Sequence, residues 1–212
     1  MKAKYLILLL SLGLFTTSSF AQETAKIVAN PINQFIAVSW EINVPSGNDL
    51  ISETSLAGGK IEYRKFFSDK FSAGIGFSWN TTEQYFPTKT YEKPDGSIAV
   101  TTDMIRQSFN LPMTLTAHYY PSLASTVFKP FAGIGLGAQY SSQDVYYNIY
   151  VIENSNWGFV ARPEIGTLAK FNEHIAALAS VGWNYSTNKV EALGVSELKQ
   201  ICFNIGIAFL MD

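Results

Sequence analysis

Apolar and polar residues alternate one for one along most of this chain. From Phe71 the sequence reads FSAGIGFSWN, which puts Phe71, Ala73, Ile75, Phe77 and Trp79 on one face and Ser72, Gly74, Gly76, Ser78 and Asn80 on the other. A period of two over ten residues predicts a β-strand with one apolar face. Ile36, Val38, Trp40 and Ile42 alternate in the same way with Ala37, Ser39 and Glu41, and Ile61 and Tyr63 with Lys60, Glu62 and Arg64. Runs beginning at Phe109, Ala132, Trp157, Ile175 and Ile201 bring the set to eight strands. No helix is predicted after residue 21.

The connections alternate in length. Ser68-Asp69-Lys70, Pro121 to Thr126 and Asn172-Glu173 are short, whereas Pro45 to Ser55, Thr81 to Asp103, Ser141 to Asn156 and Ser186 to Ser196 are longer and polar. Short turns at one end and long loops at the other predict an all-β fold, an eight-stranded antiparallel up-and-down transmembrane barrel with periplasmic turns and extracellular loops. Aromatic residues sort to both strand ends, with Trp79, Tyr140, Trp157, Trp183 and Tyr185 toward the loops and Phe67, Phe71, Tyr119, Phe171 and Phe209 toward the turns. Two such girdles suit rings that sit at headgroup depth.

The N-terminus adds an address. Lys2 and Lys4 precede the apolar run Tyr5 to Phe15, and Ser19 and Ala21 occupy the small-residue positions of a cleavage site. Residues 1–21 are therefore expected to be a cleaved signal peptide and 22–212 a single barrel domain. The lone cysteine, Cys202, allows no internal disulfide and no lipid anchor at the cleavage point. Without Lys2 and Lys4 the 15 basic residues fall to 13 against 17 acids, a net charge of −4, which leaves no basic excess for nucleic acid. Charged residues make up only 15% of the chain where about a quarter is usual.

That low charge bears on which face meets lipid. A soluble barrel of lipocalin type would bury the apolar face around a ligand and stud its outside with charge. Here the second face is mostly Gly, Ser, Ala, Asn and Thr, residues that fit the narrow interior of eight strands. The ionisable groups on that face, Glu41, Glu62, Arg64, Arg162 and Glu164, are placed to meet and pair inside a closed lumen.

The last strand carries a family likeness. Asn204-Ile205-Gly206-Ile207-Ala208-Phe209-Leu210-Met211 resembles the insertion signal of outer-membrane proteins, with Asn204, Gly206, Phe209 and Met211 at its polar, glycine and hydrophobic positions. The family usually ends on an aromatic residue, and here Met211-Asp212 closes the chain. Lys129-Pro130-Phe131-Ala132-Gly133-Ile134-Gly135-Leu136-Gly137 resembles the fifth strand of small OmpA-like barrels, particularly those of Bacteroidetes. The resemblance implies a cell outer-membrane location in a Gram-negative bacterium, assembly by the barrel-assembly machinery, and lipid and lipopolysaccharide as neighbours. Small barrels of this kind include adhesins, ligand-binding surface proteins, narrow pores and a few lipid A-modifying enzymes. A full OmpA protein adds a peptidoglycan-binding domain, and direct anchoring of that kind is not expected here.

Catalysis finds little support. An outer-leaflet lipid A enzyme needs a base near the loops, yet His118 and His174 flank the short turns, where they read as interfacial polar residues. No metal-ligand spacing and no cofactor motif is present; the Gly133 to Gly137 run lies within a strand, with no helix after it to hold a phosphate. Cys202 reads as an inert interior thiol. Any extracellular protein or glycan is expected at the loop 81–103, which carries Tyr85, Phe86, Tyr91 and Pro94-Asp95-Gly96.

If the assembly machinery reads the last strand, Phe209→Asp should sharply reduce membrane-inserted protein. Its intrinsic cost is small, ~0–1 kcal/mol for a charge near an interface. The control is Phe71→Asp at the corresponding depth of another strand. Equal yields of the heat-modifiable band from both variants would show that the last strand carries no special signal.

Overall fold

Eight strands form in sequence: β1 (Gln34–Pro45), β2 (Ala57–Ser68), β3 (Phe71–Glu92), β4 (Ala99–Tyr119), β5 (Phe128–Tyr147), β6 (Tyr150–Lys170), β7 (Ile175–Ser186) and β8 (Leu198–Met211). The computed structural model describes residues 32–47, 51–92, 99–121, 127–147, 150–189 and 195–211. The expected signal peptide and Pro94-Asp95-Gly96 lie outside these residues. Each strand pairs antiparallel with the next, and β8 pairs with β1 to close the ring. Among the described residues no helix is long and apolar enough to cross a membrane, and the strands close into a barrel.

The register tilts the strands. From Ile36 the pairing passes through Tyr63, Ile75, Leu115, Leu136, Ala161, Tyr185 and Lys199, whose carbonyl accepts the Ser46 N–H at 2.9 Å. One circuit thus returns to β1 ten residues from its start, the stagger that a closed, tilted barrel requires. Closure brings β1 and β8 close at Ser39–Gly206, where a Cβ on Gly206 would lie 2.2 Å from the Val38 carbonyl and 2.3 Å from Ser39 Oγ.

The turn end is tight. Asp69 and Lys70 alone separate β2 from β3. Between β6 and β7, Asn172 Oδ1 accepts the N–H groups of His174 and Ile175, both at 2.8 Å, an Asx-type turn. The loop end departs from expectation. Thr81 to Asp103 and Ser141 to Asn156 are largely strand, because β3 and β4 pair as far as Glu92–Ala99 and β5 and β6 as far as Tyr147–Tyr150. The apolar alternation fades where lipid ends, while backbone hydrogen bonding continues above it. The result is a four-stranded sheet, β3-β4-β5-β6, that stands beyond the barrel rim.

The outward face is apolar and uncovered by protein: Leu115 is 71% exposed, Ile165 65% and Ile205 63%. Aromatic rings flank this band, with Trp40, Trp79, Trp157 and Trp183 toward the loops and Phe67, Phe71, Tyr119, Phe128, Phe171 and Phe209 toward the turns. That is the surface of a protein whose solvent is hydrocarbon.

Gly206→Ala should push β1 away from β8 and cost about 1–3 kcal/mol as overpacking. Gly76→Ala, where the new Cβ would sit 3.2 Å from Thr114 Oγ1 and 3.8 Å from Lys60 Cε, should be tolerated. Urea midpoints in micelles compare the two; equal midpoints would show that the approach at Ser39 does not constrain closure.

Candidate functional site

Strand parity sends every second side chain into the lumen, and the register stacks them in three layers. Nearest the turns is an apolar plug of Phe35, Phe131, Leu168, Leu178 and Leu210 with Tyr120, against which Phe66 and Ile32 pack. Tyr120 follows β4, and its N–H donates to the Lys70 carbonyl at 2.8 Å, which fixes the ring beneath the barrel mouth. Lys129 Nζ lies 4.4 Å from the Phe66 ring centroid, over the plug. Sequence patterning hid this layer because the expected inward face was small and polar along its whole length.

Above the plug lies the charged layer. Glu164 is its hub: Oε1 accepts from Arg64 Nη2 at 2.7 Å and from His118 Nε2 at 2.6 Å, and Oε2 accepts from Lys60 Nζ at 2.9 Å. Lys60 also meets Glu62 at 2.8 Å, and Arg64 meets it at 3.0 Å. Arg64 Nη1 donates to the Tyr120 hydroxyl at 3.2 Å, and its guanidinium lies 4.3 Å from the Phe131 ring centroid, tying charge to plug. Arg162 forms the second group. Its Nη2 pairs with Glu41, its Nη1 donates to Ser78 Oγ at 3.1 Å, and Asn204 sits between the pair, donating to Glu41 Oε2 at 2.9 Å and accepting from Arg162 at 3.1 Å.

The structure thus brings Glu41, Glu62, Arg64, Arg162 and Glu164 into one layer, together with Lys60 and His118, which sequence reading left out of the cluster. His118 is a correction: it is a buried lumen residue rather than an interfacial one, because its even number in β4 points it inward. Space for it comes from Gly133 opposite, where a Cβ would lie 2.2 Å from the His118 ring. His174 is exposed at the β6–β7 turn. Of the insertion-signal positions, Asn204 and Gly206 face the lumen, while Phe209 and Met211 face outward. Lys60, Arg64 and Arg162 match Glu41, Glu62 and Glu164 in number within this layer.

The third layer is amide and hydroxyl. Gln139 donates to Asn110 at 3.2 Å and Ser186 at 3.0 Å and accepts from Asn184 at 2.9 Å; Ser141 donates to Asn110 at 2.8 Å. Cys202 is buried. Among the described residues no group of acids, histidines and cysteine is arranged to hold a metal ion.

Glu164→Gln would leave Lys60, Arg64 and His118 facing Glu62 alone. Breaking a buried pair on one side costs on the order of 3–5 kcal/mol, so its urea midpoint should fall well below that of an exposed-site control such as Glu173→Gln. Matching midpoints would show that water screens the layer.

Comparison with known proteins gives the barrel its relatives. The family model for the outer membrane protein beta-barrel domain matches residues 7–209. Neisserial surface protein A is 14% identical, with 84% of this chain and 97% of that one aligned at a TM-score of 0.55. Ail, the attachment invasion locus protein of Yersinia pestis, is 10% identical, with 86% of this chain and 100% of that one aligned at a TM-score of 0.52. Ail has also been solved in complex with the heparin analogue sucrose octasulfate, 13% identical and at a TM-score of 0.51, over 86% of this chain and 100% of that one. No curated protein matches the chain by sequence. The chain belongs to the outer membrane protein beta-barrel domain family and is an integral barrel of the Gram-negative outer membrane.

Proposed function

We propose that this barrel is a non-enzymatic surface-binding protein: a closed pedestal whose protruding sheet engages an extracellular partner. The observation that carries the reading is the sheet itself, in which β3 to β6 continue past a lumen filled from plug to amide layer. Among the described residues β6 loses its β7 neighbour above Val160–Ser186, apart from hydrogen bonds of Thr187, Asn188 and Lys189 with Phe159 and Asn156. Phe159 uses both its N–H and its C=O toward that side. By strand alternation Ser155, Glu153 and Val151 do the same, with no partner strand beside them among the described residues, while Tyr150, Val151 and Ile152 are exposed. Such an edge suits an extended protein segment that adds as a further strand.

A polyanionic glycan fits less well. Glu83, Gln107, Asp144 and Glu153 are cross-strand neighbours in one row on the outer face of the sheet, where acids repel a sulfated chain. Catalysis on outer-leaflet lipid is disfavoured because His118 is consumed by Glu164 in the lumen and His174 lies at the opposite end. Assembly through the last strand, with Phe209 and Met211 presented outward, and lipopolysaccharide packing against the apolar band accord with the same reading.

Val151→Pro removes an edge N–H without touching the β5 ladder. It should lower adhesion of cells displaying the barrel to immobilised serum and matrix proteins several-fold while surface amounts stay equal. Unchanged adhesion, or steady large conductance of the wild type in planar bilayers, would overturn the proposal.

A further inference from the structure

Two prolines stand inside strands that have neighbours on both sides, Pro112 in β4 and Pro163 in β6. A proline there lacks the N–H that one of the two ladders needs. Next to β5 both ladders run unbroken, through Pro112–Gln139 and Ile134–Pro163. On the other side both break. β6 and β7 pair at Ala161–Tyr185 and again at Glu164–Gly182, skipping the two positions between; β3 and β4 skip likewise from Phe77–Met113 to Asn80–Asn110. The barrel wall therefore contains two seams, at each of which the proline leaves one ladder hydrogen bond unmade while the register continues unshifted on both sides.

The lipid side of the β6–β7 seam is apolar. Toward the turns from it lies an open apolar groove of about 610 Å³, bounded by Ile165, Thr167, Ala179, Val181, Phe203 and Ile205. The lumen side is different. Arg162 occupies a skipped position of one seam, and Ser78, which accepts from its Nη1 at 3.1 Å, occupies a skipped position of the other. The same guanidinium is held by Glu41 of β1 and by Asn204 of β8. We infer that Arg162 is an internal clamp: one guanidinium, anchored on Glu41 and Ser78, holds both proline seams shut across the lumen. Loss of the clamp opens the wall locally at β6–β7 and β3–β4 before the barrel unfolds. Arg162 acts here as a positioning residue for backbone it does not itself pair.

Residue-resolved hydrogen–deuterium exchange on the whole barrel in lipid nanodiscs tests this, with the amides at positions 78 and 183 as reporters. Arg162→Gln should speed exchange at both by at least ten-fold over turn-side amides of β1 and β2. Ser78→Ala should do so at position 78 alone, with an unchanged urea midpoint. Pro163→Ala, which restores a donor to β7, should slow exchange at Trp183. If Arg162→Gln does not fold, Ser78→Ala decides at position 78. A uniform rise along all strands, or no change at either reporter, would overturn the clamp.

Discussion

Hydrocarbon offers no hydrogen bonds, so every backbone N–H and C=O within the membrane must find a partner inside the protein. The whole architecture follows from that constraint. Strands satisfy it only if the sheet has no edge, and here β8 returns to β1 over twelve paired positions from Gln34–Met211 to Pro45–Gln200. Closure then forces the alternation. One face must be soluble in lipid, and the other must fit a lumen only eight strands around.

The lumen is where that second demand is met. Eight strands leave room for side chains and little else, and long charged groups fit because glycines lie beside them. Gly133 makes space for His118, and Gly182, whose Cβ would sit 3.3 Å from Arg162 Nε, makes space for the guanidinium. Three bases and three acids cancel, so the buried layer avoids the cost of an uncompensated charge. The aromatic and aliphatic plug beneath it lies at the turn end, and its Tyr120 hydroxyl accepts from Arg64.

Outside the membrane the constraint relaxes, and the strands answer to different rules. Water can hydrogen-bond an open edge, so β3 to β6 continue as a sheet that need not close. The two prolines show the opposite case. Within the membrane band a missing N–H has no water on the lipid side to replace it, and beside the gap Arg162 reaches across the lumen to Ser78, Glu41 and Asn204. Barrel wall and lumen charge thus meet at Arg162, while the protruding sheet stands outside the membrane's constraint.

Much of this was written in local sequence. Period-two patterning from Ile36 to Met211 identifies eight strands and the inward parity of Glu41, Glu62, Arg64, Arg162 and Glu164, because side-chain direction in a strand depends only on residue number. The same parity would have turned His118 inward, but its closeness to the turn at Pro121 suggested an interface. Polar composition likewise made Thr81 to Asp103 look like a loop, since hydrophobic patterning reports lipid contact and not strand pairing. Which groups meet is a different kind of information. Lys60 and Glu164 are 104 residues apart, Arg162 and Ser78 are 84 apart, and their contact depends on the ten-residue stagger summed around the ring. Sequence determined which way each side chain points. The tertiary structure alone decided what it touches, because register in a closed barrel is a property of all eight strands at once.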